Sequence, residues 1–569
     1  MYVHTTMSIH KVIRDGHTYL SEYRSVRVGK KVKSVFVRYL GPEDEVKAGK
    51  RSKKRTLDKV KISRSNRAGD VRLLWKIAQD LGFADIIDRT CCQEFDIQGP
   101  SPGKFITIWA INRALEPESC TQLERWVKTT DLPHIAGLEQ EYITKDAFLS
   151  SLDFICNYDR STNSMIDRSA SIDDALYQHL RQSCPLPAGK KETVAYDLTT
   201  ILFFGVTCPI AVLGRNPKKM KQQQVNLALL ASKFDRQPIA HFVYNGKRKD
   251  ASTVKNLLAR LNETAIEPGT LVWDRGNVSK KHVKMVEATN WKLISGIPKT
   301  SKEALCFIDK TEVESTPISF ILKSRTGHIY ATKAKGPLYG KKRSLVVYLN
   351  QDRHMKQANI MNEALADIGN ELDILAQEGK NRTEANLHKA INKIVGSWKD
   401  CIQVRVKRKG DGPRIEWKYR KREIEKKKCG FGKYMIMSTD ETLSSKEIIN
   451  SYFEKDYIEK VFRIFKTEEE IEPVRHRLEN RVRAYMFVCV LAYRLLSALR
   501  FKFVEAGINE NAWEQTYSLL QELGRVERTE MGFGNEIKTL FLNDTKSIKD
   551  KLKKIGMKDL LKEEIKLKM

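Results

Sequence analysis

Apolar and polar residues alternate along "SIHKVIRDGHTYLSEYRSVRVGKKVKSVFVRYLG", which runs from Ser8 to Gly41. A period of two reads as β-strand, and Asp15-Gly16 and Gly29-Lys30 mark turns. The pattern predicts a small antiparallel sheet over residues 1–41. It lapses over residues 42–69, where "PEDEVKAGKRSKKRTLDKVKISRSNR" reads as a basic linker. Helical spacing takes over in residues 70–185, as in "DVRLLWKIAQDLGFADII" and "KDAFLSSLDFICNY", with Asp70 and Gly82 as boundaries. The texture changes at residue 192. "ETVAYDLTTILFFG", "QQVNLALLAS" and "QPIAHFVYNG" are strand-like, and "DASTVKNLLARLNE" is a helix with Asp250 as its candidate cap. "GTLVWDRGNVSKKHVKMVEATN" then runs strand, turn, helix, and "WKLISGI" is another strand. Three antiparallel-capable strands followed by helix–strand–helix–strand predict an α/β unit over residues 190–300.

Residues 301–440 interrupt that order with strand-like runs, long polar helices and a basic ribbon. From 405 to 428 there are twelve Lys/Arg against four Asp/Glu, with Trp417 and Tyr419 interleaved. Such a ribbon suits a nucleic-acid surface, although basic residues also protect sheet edges. Helices return over residues 441–505. The tail, residues 506–569, carries nine lysines between 546 and 569 and is expected to be helical and basic.

One helical pattern stands out. In "YFEKDYIEKVFRIFK", Tyr452 to Lys466, the residues Tyr452, Lys455, Glu459, Arg463 and Lys466 fall within about 80° on a helical wheel. Phe453, Tyr457, Val461, Ile464 and Phe465 fall opposite. The pattern predicts one amphipathic helix with a charged ridge. A solvated face with i,i+4 ion pairs would look the same.

Composition narrows the class. The chain has 569 residues, 41% of them hydrophobic, so several domains with real cores are expected rather than a disordered chain. The formal net charge of +30 suits a polyanionic partner, with nucleic acid the leading candidate. None of the ten cysteines forms a C-x-x-C pair, which removes zinc-ribbon readings. With no apolar leader, the thiols are expected to be free in a reducing, cytoplasmic compartment. "AYMFVCVLAYRLLSAL", residues 484–499, is short for a membrane span and contains Arg494, so a buried helix is predicted and no membrane partner.

Two acids sit in strand contexts. Asp197 lies inside an apolar strand, and Asp274 ends "TLVW" and precedes Arg275-Gly276, where a glycine permits a tight turn. Either could be an ordinary core or turn acid. Two strand carboxylates and one from a packed helix would also make an all-oxygen site for Mg²⁺ or Mn²⁺. A pair of such ions serves phosphodiester chemistry.

These residues resemble the DDE transposases of insertion sequences, which have an RNase H-like core. The helix signature of that family is Tyr-x2-Arg-x3-Glu-x6-Lys. It is matched by Tyr452, Lys455, Glu459 and Lys466, with Lys in place of Arg. The group resembled is the IS-four group, in particular its sixteen-thirty-four branch, which also begins with a β-rich arm ending in "YLG", as at Tyr39-Leu40-Gly41. The resemblance implies an RNase H-like catalytic core in two parts, residues 190–300 and 441–505, around an insertion at 301–440. It implies Asp197, Asp274 and Glu459 as catalytic ligands of two Mg²⁺ or Mn²⁺ ions. Tyr452, Lys455, Arg463 and Lys466 would contact the DNA end, and Trp398 or Trp417 are candidates for stacking on an extruded base. The implied partners are transposon ends with inverted repeats, target DNA and a second copy of the chain. The implied location is a prokaryotic nucleoid. The expected activity is end cleavage and transfer of the 3′-OH. A catalytically inactive DNA-binding regulator and a structure-specific nuclease are the alternatives.

Overall fold

The computed structural model describes residues 7–14, 17–28, 31–47, 60–91, 99–205, 207–214, 221–248, 252–264, 266–300, 302–313, 317–322, 325–378, 383–408, 413–533, 536–562 and 564–567. The chain divides into two units. One comprises residues 1–66, 527–542 and 561–569; the other comprises residues 67–526 and 543–560.

The first unit opens with β1 (Met7–Arg14), β2 (His17–Val28) and β3 (Lys31–Pro42), an antiparallel sheet in the order β1-β2-β3. The short helix α1 (Glu43–Lys47) follows, with Glu43 paired to Lys11 and Lys47. β4 (Val60–Arg67) belongs to a separate sheet. The region expected to be a linker therefore contains a helix and a strand. The reason is pairing: β4 finds its partner strand near the other end of the chain, which no local pattern reveals.

The second unit begins with α2 (Gly69–Asp80), α3 (Phe83–Cys91), α4 (Pro102–Leu115), α5 (Cys120–Thr129), α6 (Leu132–Ala136) and α7 (Lys145–Ile155). The hairpin β5 (Cys156–Asp159) and β6 (Ser164–Asp167) leads to α8 (Ser169–Ser183). Gly82, just past α2, has φ +70°, the left-handed conformation that suits a glycine after a helix end.

The central sheet then forms. Its first part is β7 (Thr193–Leu202), β8 (Val212–Leu213), β9 (Gln223–Ser232), β10 (Pro238–Asn245), α9 (Val254–Glu263), β11 (Thr270–Trp273), α10 (Lys280–Glu287) and β12 (Lys292–Ile297). The candidate cap Asp250 lies outside the described residues; Thr253 occupies the position before α9. The chain continues through α11 (Lys302–Lys310), β13 (Pro317–Leu322), β14 (Arg325–Leu338), β15 (Lys341–Asn350), α12 (Gln351–Glu378), α13 (Glu384–Val395), β16 (Ile402–Arg408), β17 (Pro413–Tyr419), α14 (Lys421–Cys429) and β18 (Lys433–Ser438). Strand order is β10-β9-β7-β11-β12-β18-β15-β14-β13, with β8 beside β9. β7 pairs antiparallel with β9, whereas β11 runs parallel to both β7 and β12.

The strands of residues 301–440 extend the central sheet, since β18 joins β12 on one edge and β15 on the other. Only α12, α13, β16, β17 and α14 build a core of their own, from Met361, Leu365, Leu372, Leu387 and Cys401 among others. Trp398 and Trp417 pack against that core. The Trp417 indole donates to Asp373 at 2.8 Å, and Lys427 covers Trp398 at 4.5 Å.

α15 (Ser445–Glu454), α16 (Asp456–Thr467), α17 (Glu479–Glu505) and α18 (Ala512–Leu523) follow. α17 is long and apolar enough to cross a membrane, yet 89% of its apolar window is buried inside the protein. α2, α4 and α7 pack around it, so the N-terminal helices share their core with a helix from far along the chain. Arg494 of α17 is tolerated there because Asp173 of α8 accepts from it at 2.8 Å. The other Asp173 oxygen faces His241 Nδ1 of β10 at 2.7 Å. Burial works to raise the Asp173 carboxyl, but His241 and Arg494 outweigh it and hold the pKa below the usual value.

The tail is not wholly helical. β19 (Glu527–Phe533), β20 (Glu536–Leu542) and β21 (Glu564–Leu567) form the sheet β21-β20-β19-β4 of the first unit. α19 (Lys546–Lys554) belongs to the second unit. Alternation in "ERTEMGF" and "EIKTLFL" is realised as a hairpin because β4 and β21 supply outer partners.

Candidate active site

β7 is rich in residues that favour strands, and Val194, Ala195 and Tyr196 are buried in its first half. Asp197 follows, half-buried, with Leu229 of β9 as its partner on one side. On the other side the last paired residues of β11 and β7 are Trp273 and Tyr196. Each is followed directly by an aspartate. Parallel register thus sets Asp274, just past the end of β11, beside Asp197 in the middle of β7, on strands about 5 Å apart. Asp274 has extended backbone (φ −80°, ψ 163°) and opens a 3-10 turn over Arg275–Asn277. Gly276 does not have a positive φ, so the turn needs no special glycine conformation.

Two residues of the expected ridge converge on Asp274 instead of facing outward. The Tyr452 hydroxyl donates to Asp274 Oδ1 at 2.9 Å, and Lys455 Nζ lies 3.5 Å from the same oxygen. Lys455 also sits 5.1 Å from the centre of the Tyr452 ring. Burial tends to raise the Asp274 carboxyl. The Lys455 charge, the Arg275 backbone N–H and the Tyr452 hydroxyl together overcome this and lower its pKa. Burial and the neighbouring Asp274 push the Tyr452 phenol up, so it keeps its proton and remains a donor. Gly296 of β12 makes room: a Cβ there would lie 2.2 Å from the Tyr452 hydroxyl oxygen.

The ridge expectation therefore needs correction. Tyr452 is only 9% exposed and belongs to a hydrophobic cluster with Val272, Ile294 and Ile449. The single predicted helix is two helices, α15 and α16, separated at Lys455. Two tyrosines explain the break. Tyr452 reaches toward β11 and β12, while the Tyr457 hydroxyl bridges the Ala195 N–H and the Ala231 carbonyl of β7 and β9. Five residues apart on one ideal helix, the two rings would diverge by about 140°. Ending one helix and restarting at Asp456 lets both reach the sheet. A Ser444/Glu447 capping box fixes the start of α15.

On α16, Tyr457, Ile458, Val461, Phe462, Ile464 and Phe465 are buried, whereas Glu459 and Arg463 are exposed. Lys466 is half-buried, with Nζ 3.7 Å from Glu472 Oε1. The structure thus brings Asp197 and Asp274 together and adds Tyr452 and Lys455. Glu459 is exposed on α16, the helix that packs against β7. Among the described residues, no three His, Cys, Asp or Glu side chains gather into a metal-holding group. The carboxylates of Asp197 and Asp274 fit a hard cation that takes few protein ligands and keeps its waters. Gly296 and Tyr457 were not identified as part of this region from sequence. Gly296 carried a usable signal, since a glycine inside a strand marks a close approach.

Residues 189–495, more than half of the chain, match the family described as Transposase DDE domain, and the chain belongs to that family. No curated protein matches the chain. Among solved structures, it is similar to a piggyBac transposase in a cryo-EM synaptic complex with hairpin DNA. The identity is 9%, 80% of each chain is covered, and the TM-score is 0.34.

Proposed function

We propose that this protein is an insertion-sequence transposase that cleaves DNA at the element's ends and joins the freed 3′-OH to target DNA. The observation that carries the reading is the register that sets Asp197 beside Asp274 within a segment matching the DDE domain. The order β10-β9-β7-β11-β12, antiparallel first and parallel after β7, supports an RNase H-like core. Asp197 and Asp274 would hold Mg²⁺ or Mn²⁺, with Glu459 of α16 as the third carboxylate. Two bound ions would activate the attacking oxygen and offset charge on the leaving one.

The protein's own residues have distinct tasks in this reading. Tyr452 and Lys455 hold Asp274 ionised and oriented, so they are positioning residues for the acid rather than contacts of the helix ridge. Arg463 and Lys466 remain the candidates for phosphate contact, with DNA favoured by the +30 net charge. A second copy on the paired end, in a prokaryotic cytoplasm, completes the proposal.

The test is a labelled fragment spanning the element's own end, incubated with protein in Mg²⁺ and in EDTA. Metal-dependent scission that disappears in Asp274→Asn and in Glu459→Gln, with DNA binding retained, supports the reading. Scission at the wild-type rate in either variant overturns the triad. Binding without any scission by the wild type overturns the catalytic reading.

A further inference from the structure

The sheet of β1, β2 and β3 has two unlike faces. Register assigns Lys11, Leu20, Glu22 and Arg38 to one of them. α1 packs against this sheet, Leu20 is buried, Lys11 pairs with Glu43, and Arg38 pairs with Glu22. The opposite face carries His10, Tyr23 and Phe36 as one row across the three strands. The ring centroids are 4.4 Å apart for His10 and Tyr23 and 5.6 Å apart for Tyr23 and Phe36. Tyr19 and Tyr39 form a second row at 6.1 Å. This face is open: Phe36 and Tyr39 are each 55% exposed, and Val12 and Val32 elsewhere on it are 40% and 65% exposed. Two bulges in the pairing of β2 with β3 keep Phe36 and Tyr39 on the same side.

So much exposed aromatic surface gains free energy when covered. Charge selects what covers it. Residues 7–42 hold eight Lys/Arg against two Asp/Glu, so a second copy of the same sheet would bring like charge against like. A nucleic-acid strand answers both features, with base faces for the rings and phosphates for Arg14, which register sets on this face. Duplex bases hide their faces in the stack, and only unpaired bases can lie on such a platform.

We propose that the face formed by His10, Tyr19, Tyr23, Phe36 and Tyr39 binds an unpaired stretch of DNA, with roughly two or three bases stacked on its two rows. This rests on the DNA partner of the reading above but not on its metal chemistry. A strand opened beside a cleavage point is the substrate such a platform would hold.

The test uses the full chain and two fluorescein-labelled probes, a 25-nucleotide oligo(dT) strand and a 25-base-pair duplex. Tyr23→Ala/Phe36→Ala is expected to weaken oligo(dT) binding about ten- to a hundredfold and leave duplex binding within about twofold. Tyr23→Phe/Phe36→Tyr, which keeps both rings, is expected to bind as the wild type does. Both positions are partly or largely exposed, and the circular dichroism of each variant checks that the fold is kept. Equal losses on both probes, or no loss on oligo(dT), overturn the proposal while leaving the transposase reading standing. Failure of the wild type to bind either probe overturns both. Conversion of a wild-type dimer to a monomer by the alanine pair, without nucleic acid present, would assign the face to a second copy instead.

Discussion

Tyr452 and Tyr457 end in the ten-stranded sheet, buried, each hydroxyl carrying a hydrogen bond that fixes a helix against strands. Phe36 and Tyr39 lie on the three-stranded sheet more than half exposed. Both regions are aromatic and centred on a sheet, one read from alternation and the other from β-rich runs. The difference lies in what covers them. The central sheet is packed with helices, so an aromatic ring there is spent on position and its polar tip on orienting Asp274. The small sheet has one short helix, and its aromatic rows remain available to a partner. Exposure therefore separates rings that hold the chain together from rings that can hold something else.

The sharpest break of this comparison is at the carboxylates. Asp197→Asn, Asp274→Asn or Glu459→Gln is expected to cut the scission rate by at least two to three orders of magnitude while binding persists; single-turnover cleavage of the end fragment measures it. Next comes the buried network behind the sheet. Asp173→Ala strands Arg494 and His241 without their carboxylate, and denaturant unfolding is expected to show a loss of about 3–5 kcal/mol. Because the folded-state pKa of Asp173 is depressed, its contribution is present above the unfolded value near 3.8 and is lost as pH falls through the lower folded value. Wild-type and variant stabilities should converge only in strong acid.

A smaller effect is expected from Tyr452→Phe, which keeps the packing and removes one donor to Asp274. The Asp274 pKa rises in the variant, so the acid limb of the pH–rate profile moves to higher pH, with a loss of roughly tenfold on that limb. An unchanged acid limb would make Tyr452 a packing residue only. The smallest effect has the opposite sign. Glu469 is fully buried, neither carboxylate oxygen has a hydrogen-bond partner, and burial pushes its pKa well up. A raised folded-state pKa costs stability as pH rises past the unfolded value near 4.5. Glu469→Gln is expected to stabilise the protein by on the order of 1 kcal/mol at pH 7, with the gain vanishing below about pH 4.5. Thermal unfolding at the two pH values tests this.

Much of the molecule is legible one segment at a time. Alternation marks β1 to β3 and helical spacing marks α2, α7 and α16, because side-chain periodicity follows directly from backbone geometry, while β-rich runs mark β7, β9 and β10. The apolar stretch around Arg494 reads as a core helix for the same reason: a charge within it demands a buried partner. The pattern Asp197, Asp274 and Glu459 is visible as residue types in suitable local settings. What the chain alone could not decide is where distant segments meet. β4 against β19, β18 between β12 and β15, and α17 among α2, α4 and α7 depend on pairings between segments far apart in the chain, which leave no local period. The break at Lys455 is of the same kind. Every residue from Tyr452 to Lys466 suits a helix, and only two hydroxyls bound to different strands of a finished sheet divide it. Sequence determines which faces are apolar; tertiary structure determines which of those faces finds a partner, and so which aromatic rows remain open.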